Sequence, residues 1–303
     1  RRRAFLAACG VFAVLSAVIR CRRVALGVAM AAATGETEPP PEGASAARDE
    51  TGNAVGGVAL ALHLLSEQHF HHLRTMYVEH VPQWIEAAVQ RKESCLLILV
   101  GAPGAGKSTF GRHLHGHVRQ CAVTTVSNDL QEGLYTLDRD GREVVYAPTA
   151  TGGRFDFPLF KRLALDPAKK QFEELMQKSR DSPQVVILDD TNTVFSDWKD
   201  KVRYARQCGM PLRNVLFLVV DQHMPLAAEK EFLVGRQEKR HAAFWDKVDR
   251  GVPGLHASDG KVVPAFKIEQ MISRLRESYF DGAGRLRRFT TPELAQVLDG
   301  GGW

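Results

Sequence analysis

The residues with the clearest capacity for chemistry run from Gly101 to Thr109: Gly101-Ala102-Pro103-Gly104-Ala105-Gly106-Lys107-Ser108-Thr109. They match G-x-x-x-x-G-K-[ST], with the apolar run Leu96-Leu97-Ile98-Leu99-Val100 before them and a helix-like stretch after. Glycines let the backbone wrap until successive N–H groups converge on phosphate oxygens, and the following helix adds its positive end. In such a cradle Lys107 reaches the β- and γ-phosphates of ATP, Ser108 binds Mg²⁺ and Thr109 touches the α-phosphate.

Acidic side chains come next. Asp129 ends the run Val123-Thr124-Thr125-Val126-Ser127-Asn128, and Asp189-Asp190 end Val185-Val186-Ile187-Leu188. In an open parallel sheet, strand carboxyl ends converge on one crevice, so these carboxylates are expected to face the γ-phosphate. One carboxylate there can take the proton of an attacking hydroxyl while another holds the hydrated metal. Asp129 would also serve as a simple cap, and one of Asp189 and Asp190 is expected to be structural. Arg236 and Arg240 lie four apart in a helix-like stretch and so share one helix face, where they could neutralise a transferring phosphoryl group or simply be solvated.

To hold these groups the chain needs a parallel sheet. Apolar runs at Leu96 to Val100, Ala122 to Val126, Val185 to Leu188 and Val215 to Val220 read as strands buried on both faces. Helix-like stretches at Lys107 to Arg119, Pro167 to Lys178 and Ser196 to Cys208 alternate with them. The pattern predicts an α/β three-layer sandwich with a mainly parallel sheet, in which Asp129 follows a strand lying beside the one that feeds the cradle. One excursion breaks the rhythm. Leu134 to Leu137 and Arg142 to Tyr146 flank Asp138-Arg139-Asp140-Gly141, a turn signal for an inserted hairpin, and the Gly- and Thr-rich stretch Ala147 to Phe157 reads as a loop.

The formal charge of +5 is concentrated at the start, where Arg1, Arg2, Arg3, Arg20, Arg22 and Arg23 precede the first acid, Glu36. Removing those six from 40 Lys and Arg leaves 34 against 35 Asp and Glu, about −1 for the rest, so any basic groove must be local. Cys9, Cys21, Cys95, Cys121 and Cys208 have neither disulfide-framework nor zinc spacing, which favours an intracellular reducing compartment. Ala4 to Ile19 is apolar but shorter than the roughly 20 residues of a spanning helix, so no stable membrane insertion is expected of the folded part. A signal peptide or anchor, a mitochondrial presequence, and an upstream extension of a start at Met30 all fit residues 1–34. Residues 35–57 read as a disordered linker, 58–92 as a helical lead-in, 93–280 as the catalytic-type domain and 281–303 as a tail with a short helix. His69, His71, His72, His80, His113, His115 and His117 lack metal-ligand company and read as exposed helix. Phe157, Phe160, Phe172, Trp198 and Phe244 read as core or lid packing, since no aromatic cluster accompanies a basic run.

Taken in order, the P-loop, Ser127-Asn128-Asp129, Ile187-Leu188-Asp189-Asp190-Thr191-Asn192-Thr193 and Arg236 to Arg240 resemble four motifs of the polynucleotide 5'-hydroxyl kinases: the P-loop, the N-R-D base motif, the D-N-T-N or S-D-T-N segment and the R-x-x-x-R lid. The resemblance covers about residues 95 to 250. It implies an ATP- and Mg²⁺-dependent kinase with Asp129 as general base and Asp190, or its neighbour Asp189, as the acceptor- or metal-side carboxylate. It also implies a helical lid carrying Arg236 and Arg240, and a nucleic-acid 5' end as acceptor. The sequence departs from the pattern at Asn128, where many members have Arg, and at Glu132, where the phage member has an Arg for the acceptor's phosphate. There is no D-x-D-G-T phosphatase signature, and the missing N-K-x-D pattern counts against a GTPase switch. A kinase of small metabolites, nucleotides or proteins, related to the zeta toxins, and a non-catalytic nucleotide-binding protein are the alternatives.

Overall fold

The computed structural model describes residues 62–63, 81–149, 154–222, 224–284 and 298. The readings made above for residues 1–34, the linker 35–57, His69, His71, His72 and His80, and most of the tail lie outside them. Five strands form one parallel sheet: β1 (Leu62–His63), β2 (Cys95–Gly101), β3 (Ala122–Val126), β6 (Gln184–Leu188) and β7 (Val215–Val220), in the order β1-β7-β2-β6-β3. The hairpin strands β4 (Tyr135–Asp138) and β5 (Glu143–Tyr146) pair antiparallel, with Tyr135 opposite Tyr146.

The unbroken apolar run of β2 is explained by its position. It lies between β7 and β6, and all its residues are buried. Leu97 and Leu99 join Val81, Ile85 and Ala88 of α1 (81–90), Leu114 of α2 (Lys107–His117) and Leu233 of α6 (Leu226–Asp249) on one face. Leu96, Ile98 and Val100 point the other way, onto Phe172 and Met176 of α4 (Asp166–Lys178) and Val202 of α5 (Lys199–Gln207). Each such side chain contributes about 1.5–3 kcal/mol by leaving water. Helix α7 (Ala265–Tyr279) adds Ile268 to the first cluster and Tyr279 to the second. The result is an α/β P-loop NTPase fold, a parallel sheet covered by helices on both faces.

Two expectations about β3 need correction. It pairs with β6, not with β2, so one strand separates it from the strand that feeds the P-loop. Nor is it buried on both faces: of its five residues only Val126 is fully enclosed. Both follow from its place at the sheet edge, where Thr124 and Thr125 supply β-propensity without needing a second covering layer. The helix expected from Pro167 is preceded by a short helix α3 (Phe157–Phe160) and a π-helical turn (Lys161–Leu165), so helical backbone begins ten residues earlier.

Candidate active site

The P-loop leaves β2 and closes on α2. Gly104 has φ +84, and a Cβ there would lie 3.1 Å from the Leu233 carbonyl and 3.3 Å from Gln237 Cγ of α6, so only glycine lets the loop and the lid helix approach this closely. Lys107 is buried and donates to the carbonyls of Gly101 (2.7 Å) and Ala102 (3.0 Å). Burial pushes its ammonium down to about 8, with Asp189 opposing that shift and Lys261 adding to it. Ser108 and Thr109 are exposed beside it.

Asp189 and Asp190 leave the end of β6 in different directions. The Asp189 carboxylate is buried near Lys107 and Ser108; burial raises its pKa, while Lys107 and a hydrogen bond with Ser108 pull it back. Among the described residues its Oδ1 has no hydrogen-bond partner. An orphaned carboxylate oxygen beside a P-loop hydroxyl fits a hard divalent cation such as Mg²⁺, whose ligands are oxygens. Asp190 turns instead to the β3 end, accepting from the Asn128 amide (2.8 Å) and pairing with Lys201 (3.4 Å). Ser127 completes this brace by donating to the Asp189 carbonyl (2.7 Å).

The T-N part of the motif is structural. Asn192 adopts φ +47, which Asn tolerates, and its amide donates to the Leu99 carbonyl (2.8 Å). The Gly101 amide donates to the Thr191 carbonyl (2.9 Å), so the turn after β6 is fastened at two points to the end of β2 that feeds the P-loop. Tyr279 of α7 accepts from Trp198 Nε1 (2.7 Å) and donates to the Asn192 carbonyl (2.9 Å), backing the same turn from the core.

Asp129 sits in the short 3-10 turn after β3, half-buried. Its Oδ1 accepts from the Tyr135 hydroxyl (2.7 Å), and its Oδ2 pairs with Lys261 Nζ. Burial works against its charge, but the Lys261 ammonium and the Tyr135 phenol outweigh that and hold its pKa below the ordinary value. Sequence reasoning missed Lys261. It follows the 3-10 turn Ala257–Gly260, 132 positions from Asp129, and no local signal marks it. This turn is carried by the lid helix. Arg240 donates to the Lys261 carbonyl (2.8 Å), His241 bonds the Gly260 carbonyl (2.6 Å), and Gln237 accepts from the Val263 amide (3.0 Å). Burial lowers the Arg240 pKa, against the pull of Asp259 and Asp129. Arg236 lies one turn back on α6, its guanidinium 5.6 Å from the Phe232 ring.

Lys107, Asp129 and Asp189 thus converge on one edge of the sheet, with the lid helix packed on the P-loop above them. Of the histidines of α2, His115 bonds Thr125 of β3 (3.0 Å) and His117 the His113 carbonyl (2.7 Å). Among the described residues no group of His, Cys, Asp and Glu forms a metal cluster, no helix is long and apolar enough to cross a membrane, and Cys95, Cys121 and Cys208 are free. Of the aromatic residues expected in core or lid packing, Phe172, Trp198 and Phe244 are buried and Phe160 is partly buried, but Phe157 is 54% exposed and does not belong to the core.

No curated protein shows a match to the chain. Residues 96–246, from β2 to the lid helix, match the family model described as an AAA domain, and this segment is a P-loop NTPase-like nucleotide-binding domain.

Proposed function

We propose that the chain is an ATP-dependent kinase that moves the γ-phosphate to a hydroxyl acceptor, for which a polynucleotide 5'-hydroxyl is the best candidate. The observation that carries the reading is the Asp129 carboxylate. It is held by Tyr135 and Lys261 at the same crevice as Lys107, where a P-loop switch would need no proton acceptor. In the reaction the acceptor's O–H proton passes to Asp129 as its oxygen bonds the γ-phosphorus, and the bond from that phosphorus to the β–γ bridging oxygen breaks to release ADP. Lys107 and the P-loop amides hold the β- and γ-phosphates, and Arg236 and Arg240 neutralise charge from the lid. Ser108 and Asp189 would hold Mg²⁺, which when bound offsets the phosphate charge. Asp190 positions the 127–129 turn through the Asn128 amide rather than touching the reacting atoms.

Two features favour a smaller hydroxyl compound as a second reading: the near-neutral body of the chain and the exposed Glu132 three residues beyond the base. Radiolabelled ATP offered with a 5'-hydroxyl oligonucleotide, and separately with a metabolite pool, distinguishes them. Label in the oligonucleotide is expected; label only in a small compound would replace the acceptor, and none in either would sink the kinase reading. Lys107→Ala should abolish transfer, because no other P-loop side chain bridges the β- and γ-phosphates; full activity in that variant would overturn the site.

A further inference from the structure

The proton-accepting carboxylate stands at one end of a ladder of rings. The Tyr135 hydroxyl that bonds Asp129 belongs to a ring stacked on Tyr146 at 5.2 Å, and Tyr146 is stacked on Phe155 at 6.3 Å. Phe160 supports Phe155 from below (5.5 Å) and Phe157 from the side (6.5 Å). At the outer end the rings are open: Phe155 is 51% and Phe157 54% exposed, with Leu130 47% exposed next to Asp129. Core aromatics do not end this way, since a phenyl ring left half in water forgoes about half of its burial energy.

The residue between the two open rings is anchored twice. The Asp156 amide donates to the Pro148 carbonyl (2.8 Å), while its side chain accepts from the Leu159 amide (2.9 Å) and caps α3. Phe155 and Phe157 flank this doubly anchored residue, and both rings are exposed. Arg154, Lys161 and Arg162 are exposed in the same segment, against one exposed acid, Asp156, whose carboxylate caps α3, so the stretch 154–162 is net positive. Open rings in a net-positive segment suit single-stranded nucleic acid: every base has a face to stack, and every link carries a negative charge.

We propose that Phe155 and Phe157 form a stacking platform for the bases of a single-stranded acceptor whose 5' end reaches Asp129. The direction of the strand rests on the kinase reading above; the platform itself does not. Its test uses the full-length protein and a single-stranded 5'-hydroxyl oligonucleotide with the fluorescent base 2-aminopurine at its first position, titrated without ATP. Stacking should quench the fluorescence. Phe155→Ala with Phe157→Ala should weaken binding by roughly 5- to 150-fold per base lost from the stack, while Phe155→Trp retains it. Both rings are more than half exposed, so their removal spares the core, and unchanged ADP binding checks the fold. Equal quenching in the double variant, no quenching in the wild type, or a change only in self-association would each overturn the platform. Transfer is measured separately. Quenching without phosphorylation of any oligonucleotide would sink the polynucleotide-acceptor reading and leave the platform standing; phosphorylation indifferent to an abasic first position would do the reverse.

Discussion

At the scale of single residues, Asp129 and Lys261 decide between a hydroxyl kinase and a protein that only binds or hydrolyses ATP. ATP carries no proton that Asp129 must take. Asp129→Asn should therefore leave nucleotide affinity nearly unchanged while single-turnover transfer to the acceptor falls by about 10²- to 10⁴-fold. Transfer that survives intact would make Asp129 a cap. Lys261 gives a second readout. Burial is the largest single influence on the Asp129 carboxyl, and removing the ammonium takes away the main opposition to it, so the pKa rises. Lys261→Met should therefore move the acid limb of kcat/KM to higher pH, whereas an unmoved limb would show that the pair plays no part in proton transfer. Asp129 was legible in the sequence because a strand and a short turn place it locally. Lys261 was not, because its partner is 132 positions away and its own neighbourhood is an ordinary glycine-containing turn.

At the scale of elements, the lid helix joins the two halves of the site. One face of α6 packs Leu233 and Gln237 against Gly104, while Arg240, His241 and Gln237 hold the turn that brings Lys261 to Asp129. Movement of α6 on the nucleotide side would therefore carry a cation across to the acceptor side. If Arg236 and Arg240 act on the transferring group, Arg236→Ala and Arg240→Ala should each lower kcat far more than they weaken ADP binding, since the added charge arises in the transition state. Comparable losses in both would mean that the two arginines take no part in neutralising the transferring group. The alternation of strands and helices could be read from apolar runs because it depends on local periodicity. Strand order could not, because nothing local to Ala122–Val126 says that β6 enters between it and β2. The crevice forms regardless, since parallel strands end on the same edge whatever their order. The aromatic ladder escaped for a related reason: Tyr135, Tyr146, Phe155 and Phe160 meet only once the hairpin folds back over α3.

At the scale of the molecule, the lid helix is rooted by a buried charge cluster, which makes stability depend on pH. Glu229 in the first turn of α6 and Asp221 just past β7 are both almost fully buried, and both are paired with Arg276 of α7. Glu229 also accepts from the Gln222 amide (3.3 Å), and Arg276 donates to the Met224 carbonyl (2.6 Å). Two carboxylates share one guanidinium. Burial, then the charge of Asp221 and a hydrogen bond with it, push the Glu229 carboxyl up from 4.5 to about 7, against the pull of Arg276. Between those values the native protein holds a proton that the unfolded chain has released, so stability falls as pH rises and levels off above about 7. The shift sets an upper limit of about 3 kcal/mol on that loss. Asp189 and Asp197, also raised by burial, add losses of the same sign beginning near 3.8, whereas the stabilisation from Asp129 is complete above that value. Urea unfolding of wild type and Glu229→Gln at pH 5 and pH 8 therefore isolates the Glu229 contribution as a difference of differences. Wild type should lose stability across that interval, and Glu229→Gln should lose less, because its side chain cannot release a proton. Equal losses in the two proteins would mean that Arg276 keeps Glu229 ionised throughout, and that the lid is anchored by an ordinary ion pair.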